Sequence, residues 1–431
     1  MMNKEILRLA IPNIISNISV PLLSTVDTAL MGRMSELHLG AVGLGAMIFN
    51  FVYWNFGFLR MGTTGITAQS YGKKDDQEVM LTMARALVVA MVLAALVMLL
   101  QYPFGEMSFY LMNASGRQYE LLQTYFYIRI WAAPATLGLY VLMGWFFGMQ
   151  NAIYPLILTI FINAVNIVFS YLFIVYYGMD VEGVAYGTVI AQYVGLLLGL
   201  GLFFYKYKYL LVGLNRTIIL EWNEFKRFLT INRDIFLRTF CLTFAFGFFY
   251  SQSSAGGEMI LAVNVILLQF LNWMSYGIDG FAFASESLVG KYAGAKNSQK
   301  VSQSVRMSFL WAGGMATLFG LVYGVFGDEL LTVFTNQEEV IIAARPYLIW
   351  MVIFPIISYP CYIWDGIFVG LTASRTMRDA MVMSLGIYLI AHFLLKPSWA
   401  NHGMWLALLI FMAGRGLIQA IYYQKKGLMM R

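Results

Sequence analysis

YGKKD (71–75) and AGAKN (293–297) each close a long apolar stretch that carries glycine, and the pair is in register with landmarks far from both. The offset between Gly72 and Gly294 is 294 − 72 = 222 residues. The same offset sets Asn50 on Asn272 and Glu36 on Glu258. Downstream it lays LMGWFFG (142–148) on WDGIFVG (364–370), with Gly144 on Gly366 and Gly148 on Gly370. One spacing shared by such distant landmarks marks an internal repeat. The chain is two halves written in tandem.

Composition supplies the solvent. Of 431 residues, 60% are hydrophobic and only 12% are charged, about half the charge of an ordinary soluble domain. Runs such as ALVVAMVLAALVMLL (86–100) and VGLLLGLGLFF (194–204) are of spanning type. In lipid every backbone polar group must be satisfied internally, and the short alternation of a β-barrel is absent, so the spans are helices. Twelve are read, at about 6–31, 40–70, 82–102, 119–147, 154–177, 183–205, 234–255, 258–289, 304–326, 340–370, 379–396 and 402–423. The first lacks a small-residue cleavage site and is expected to stay in the protein. An even number of spans per half gives both halves one orientation.

The net charge of +6 is topology rather than nucleic-acid binding. Lys73, Lys74, Lys206, Lys208, Lys226, Arg227, Lys296, Lys300 and Arg378 fall in connections on one side. The other side holds few, chiefly Arg33, Arg117 and Lys396. That bias puts both termini in the cytoplasm. The two cysteines, Cys241 and Cys361, lie in apolar segments, and the three histidines have no ligand spacing, so neither a disulfide framework nor a metal site is expected. No HExxH or Ser/His constellation points to an enzyme. The expected division is an N-lobe over 1–205, a cytoplasmic linker over 206–233 and a C-lobe over 234–431. Within the linker, LEWNEFKRFLTINRD (220–234) spaces Trp222, Phe225, Phe228 and Leu229 as an interfacial helix. Tandem halves with a site between them are common in secondary transporters.

Acids inside the spans locate the chemistry. A carboxylate at mid-bilayer costs at least ~2.5–3.5 kcal/mol, so it faces a cavity or a partner. Asp27, in STVDTALMGR (24–33), follows Pro12 and Pro21, which are expected to bend the first helix. Desolvation favours its protonated form and an approaching cation favours the ionised one, as exchange of a proton for a cationic substrate requires. In FINAVNIVFSY (161–171), Asn163, Asn166 and Ser170 share one helical face, either as a hydrogen-bonded seam or as a cavity lining. Asn50 joins them as a candidate N-lobe residue. In the second half Asp279 and Glu286 stand seven apart on one face, Asp365 lies in a helix expected to be broken by Pro355 and Pro360, and Arg415 is expected to pair with one of these acids.

At these residues the chain resembles the multidrug and toxic compound extrusion (MATE) family, in its DNA-damage-inducible F branch. The motifs are VDTALMGR, FLRMGTTGITAQSYGKKD (58–75), NAVNIV, VEGVAYGTVIAQ (181–192), DGFAFASESLVGKYAGAKN (279–297) and WDGIFVG. The resemblance covers essentially the whole chain. It implies two pseudo-symmetric six-helix lobes in an outward-opening V, and efflux of organic, mostly cationic compounds by alternating access in exchange for H⁺ or Na⁺. The family's helix-1 protonation acid falls on Asp27, its helix-5 asparagine on Asn166, and its helix-10 acid, a cation-binding position in some branches, on Asp365. Several relatives carry a second N-lobe acid where this chain has Ser170. Asp27 is then expected to act without that partner, which favours H⁺ over Na⁺, since hard cations want several oxygen ligands. A Na⁺-coupled exporter, or a lipid-linked oligosaccharide flippase of the same superfamily, remains as an alternative. No cofactor beyond the coupling ion, no nucleic acid and a monomer in the cytoplasmic (inner) membrane are expected.

Overall fold

The computed structural model describes residues 2–32, 36–211, 218–219 and 221–425, without the side chains of residues 20–36. Among them helices account for the fold and no strand occurs. In the first half these are α1 (Met2–Gly32), α2 (Glu36–Asn55), α3 (Phe58–Lys73), α4 (Asp76–Leu99), α5 (Gln101–Leu111), α6 (Gly116–Arg129), α7 (Ala133–Gly148), α8 (Ile153–Tyr171) and α9 (Val181–Tyr207). The second half contains α10 (Trp222–Ser254), α11 (Glu258–Gly294), α12 (Ser298–Phe334), α13 (Glu338–Ala344), α14 (Leu348–Gly370) and α15 (Ser374–Lys425). Among the described residues nine helices are long and apolar enough to cross a membrane. One of them, α15, is two spans joined at a kink where Ala400 takes φ 47°. With α1 and α10 the spans read from the sequence are all helical.

Two readings change. The stretch 220–234 is not a separate interfacial helix: from Trp222 it is the head of α10, which runs unbroken to Ser254. No proline lies between those residues, so nothing in the sequence stops the helix there. Pro355 and Pro360 do not break the tenth span either, because α14 continues through both. A spanning helix tolerates proline where its surroundings re-satisfy the freed backbone groups.

The 222-residue offset reappears in atomic detail. Asp75 caps α4 by accepting from the Glu78 amide at 2.9 Å, and Asn297 caps α12 by accepting from the Lys300 amide at 3.0 Å. The residue before each cap, Lys74 or Lys296, takes a positive φ of 60° or 53°; Gln150 and Thr372 follow suit at 61° and 51°. These are left-handed turns that end one helix and aim the next. The helix crossings match as well. A methyl group at Gly144 would strike the Arg60 carbonyl, and one at Gly366 would strike that of Ala282. Gly148 lies against Thr64 and Thr67, and Gly370 against Glu286 and Gly290. Small residues let helix backbones meet closely where lipid provides no hydrophobic drive.

The chain divides into two compact units, Ile15–Leu229 and Met1–Ile14 with Thr230–Arg431. In the first, α3 packs on α7 and α8 on α9; in the second, α14 packs on α11 and α12. The head of α1 belongs to the second unit. There the Glu5 carboxylate accepts from the Tyr292 hydroxyl at 2.6 Å and pairs with Lys291 at 3.3 Å. A buried polar knot closes the same unit around the α15 kink. Asn264 and Asn401 exchange amide hydrogen bonds of 2.8 and 2.9 Å, and the Trp405 indole donates to Asn264 at 2.9 Å.

Gly144→Ala and Gly366→Ala are each expected to destabilise by ~1–3 kcal/mol through overpacking at the crossing. Gly43→Ala, where an added methyl meets no atom within 4 Å, is expected to be neutral or slightly stabilising. Thermal unfolding of the three purified proteins checks this.

Candidate functional site

Asp27 lies within helix α1, but its side chain is outside the described residues. The polar face of α8 is described, and it makes a seam. Asn163 donates to the Ser19 carbonyl at 3.2 Å and to its hydroxyl at 3.3 Å, tying α8 to α1. Asn166 is buried and donates to the Thr188 hydroxyl on α9 at 3.0 Å. Ser170 is buried against Gly187, where any side chain on α9 would collide with it. The seam is only half satisfied. The Asn166 Oδ1 and Ser170 Oγ atoms are buried and have no hydrogen-bond partner among the described residues. A buried acceptor without a partner is costly. Asn50 is exposed on α2 and stands apart from this seam in the described contacts.

Two arginines lie deep in the same unit. The Arg60 guanidinium sits 5.9 Å from the Phe147 ring centre. Arg129, at the end of α6, lies 4.9 Å from the ring centre of Phe49 and donates to the Tyr125 hydroxyl. Such contacts favour a guanidinium over an aromatic face.

The second unit brings together a different set. Asp365 on α14 is buried, and its Oδ2 receives both the Arg415 guanidinium, at 2.7 Å, and that of Arg238 on α10. Its Oδ1 receives the Gln419 amide at 2.7 Å. Arg415 thus finds its acid on α14. Asp279 is half-buried on α11 and Glu286 is buried seven residues further on. Both oxygens of Asp365 are engaged, and two cations flank it. Another group lies four residues before Arg238: buried Asp234 pairs with Arg378 at 2.7 Å, joining α10 to the start of α15.

Arg238 and Gln419 were not singled out from the sequence. Gln419 had a signal, standing four residues after Arg415 and so on its helical face. Arg238 had a weaker one, four residues after Asp234 near the start of a span. Nothing in one dimension says that α10 and α15 carry both side chains to α14.

A buried acid with this many donors is a structural keystone, since removing one partner of a buried pair leaves uncompensated charge. Asp365→Ala is therefore expected to lose ~3–5 kcal/mol of stability. Replacing Arg238 and Arg415 by Met in the same protein should recover most of that loss. Melting temperatures of the single and triple variants test the assignment.

The geometry can now be set beside known proteins. A MatE family profile matches two stretches of the chain, residues 12–172 and 235–397, one in each repeat. DNA damage-inducible protein F of Escherichia coli (strain K12) is 36% identical over 98% of this chain and 92% of its own length. Multidrug and toxin extrusion protein 1 of Danio rerio is 24% identical over 90% of this chain and 65% of its own. Among solved structures, an outward-facing multidrug resistance MATE transporter superimposes with a TM-score of 0.90 at 19% identity, covering 99% of this chain and 96% of that one. A MOP superfamily transporter from Pyrococcus furiosus gives 0.88 at 19% identity, with the same coverage. Two family matches in register with the repeat, and a relative aligned over almost its full length, leave one conclusion: this chain belongs to the MatE family of multidrug and toxic compound extrusion transporters.

Proposed function

We propose that the chain is a secondary active exporter of the cytoplasmic (inner) membrane, with both termini inside and no enzymatic activity. It exchanges external protons for organic, mostly cationic compounds, and Asp27 is the exchangeable carboxylate. The register between α1 and α8 carries the reading. The two helices are bonded at Ser19 and Asn163, and as first and fifth spans they run in the same direction. Eight residues further, about 12 Å at the helical rise, α1 reaches Asp27 and α8 reaches Tyr171, next to Ser170. The unsatisfied acceptors Asn166 Oδ1 and Ser170 Oγ mark that end of the seam.

The Asn166 amide oxygen discriminates between the two states of an acid: a protonated carboxyl can donate to it and a carboxylate cannot, while the Ser170 hydroxyl can serve either state. An organic cation has the opposite preference and is attracted by the carboxylate. Protonation from outside therefore exchanges a cation–carboxylate contact for a hydrogen bond to the seam, pulls on helix α1 and releases the substrate. The protonated unit turns inward, loses its proton to the cytoplasm and accepts the next cation. The driving force is sufficient at roughly 2.3 kcal/mol per charge per 100 mV before any pH gradient.

Asp365 supports H⁺ over Na⁺. A hard cation needs several oxygen ligands, whereas the oxygens of Asp365 already accept from two guanidiniums and an amide. In proteoliposomes, Asp27→Asn is expected to keep its fold and melting temperature and lose at least roughly tenfold of its pH-driven efflux, as removal of a proton-transfer group does. Proton release on adding substrate to the purified protein should vanish with it, at any Na⁺ concentration. Undiminished efflux by the Asn protein would refute the assignment.

A further inference from the structure

Arg129 is a membrane-embedded cation that forms no ion pair with any acid among the described residues. It lies thirteen residues beyond Gly116, where α6 begins. At the helical rise that is about 20 Å along the span, well inside a hydrocarbon core of about 30 Å. A guanidinium carries five N–H donors in a planar fork. Here one hydrogen bond is made, from Nη1 to the Tyr125 hydroxyl. The ring centres of Phe49 and Tyr125 lie 4.9 and 5.5 Å from the guanidinium carbon. Both rings are buried, whereas Arg129 is only half-buried. The aromatic frame is fixed and the cation held in it has donors to spare.

The repeat shows that this charge is not a requirement of the scaffold. The position 222 residues on is Met351, which is 1% exposed and packs in the core of the other unit. The same helix position can therefore be filled by an apolar side chain of similar length. A charge at this depth is costly unless it is matched. Aromatic faces compensate part of that, and they leave the planar edge of the fork open.

We propose that Arg129 is a recognition point for organic anions: a carboxylate, sulfonate or phosphate group carried on an aromatic body. The fork accepts such a group through two parallel hydrogen bonds, a geometry that a lysine ammonium does not reproduce. Phe49 and Tyr125 hold the guanidinium plane in place and exclude water behind it. The site lies in a different helix pair from the α1–α8 seam, so it extends the range of compounds the protein admits from cations to zwitterions and anions.

The test is equilibrium binding to the purified protein without any ion gradient, which separates it from the question of coupling. The probes are carboxyfluorescein, an aromatic dianion, and ethidium, an aromatic cation, each followed by fluorescence anisotropy. Wild type is expected to bind both. Arg129→Gln and Arg129→Met should weaken carboxyfluorescein at least roughly tenfold and leave ethidium within about twofold. Arg129→Lys should fall between them, because it keeps the charge and loses the fork. The proposal is overturned if wild type shows no saturable carboxyfluorescein binding, or if the Gln protein binds it as wild type does. Parallel loss of both dyes in a folded Gln or Met protein also overturns it. So does failure of the Met protein to fold, since the repeat implies that methionine fits there.

Discussion

Backbone contact between helices at glycine is the constraint on which both halves are built. At Gly144 and Gly366 one helix lies so close to its neighbour that its glycine faces a main-chain carbonyl, Arg60 in one case and Ala282 in the other. Lipid gives apolar side chains no reason to leave it for a protein interior, so dispersion and close approach must hold spanning helices together. Once α7 is seated on α3 and α14 on α11, the left-handed turns at Lys74, Lys296, Gln150 and Thr372 deliver the following helices in matching directions. The repeat is therefore a repeated packing solution as well as a repeated sequence.

Polar side chains then diverge on that common frame. At the position of Asp365 the first half has Met143, and where the second half has Arg415 the first has Tyr193. Burying two guanidiniums around one carboxylate ties α10, α14 and α15 into a single block. Among the described residues the first half shows no equivalent of that block. Its polar seam between α8, α9 and α1 leaves Asn166 Oδ1 and Ser170 Oγ without a partner among the described residues. In the second half both carboxylate oxygens of Asp365 are engaged by cations and an amide, whereas the first half holds a half-exposed arginine, Arg129, over aromatic rings. An exporter needs both a rigid part and a part that answers to its ligands.

Much of this was legible in one dimension. Apolar runs defined the spans because lipid leaves helices as the only economical solution, and the 222-residue offset was legible because both halves place glycine where an added methyl would meet a neighbouring backbone. Asn163, Asn166 and Ser170 were correctly placed on one helical face, since helical period is a local property. The interfacial helix over 220–234 was misjudged for a related reason: local amphipathic spacing does not reveal whether a helix stops. Prolines at 355 and 360 misled in the opposite sense, because a backbone flaw that breaks an isolated helix can be accommodated within a bundle.

The sequence by itself determined the solvent, the number of spans, their duplication and the residues carrying charge into the membrane. All of these follow from composition, period and spacing along the chain. Only the tertiary structure decided which charges meet. Arg238, Asp365 and Arg415 are separated by 127 and 50 residues. They come together because three helices converge at one depth, and no propensity encodes that convergence. Whether a buried carboxylate is a lock or a coupling site depends on how many donors reach it, and that count exists only once the helices are packed.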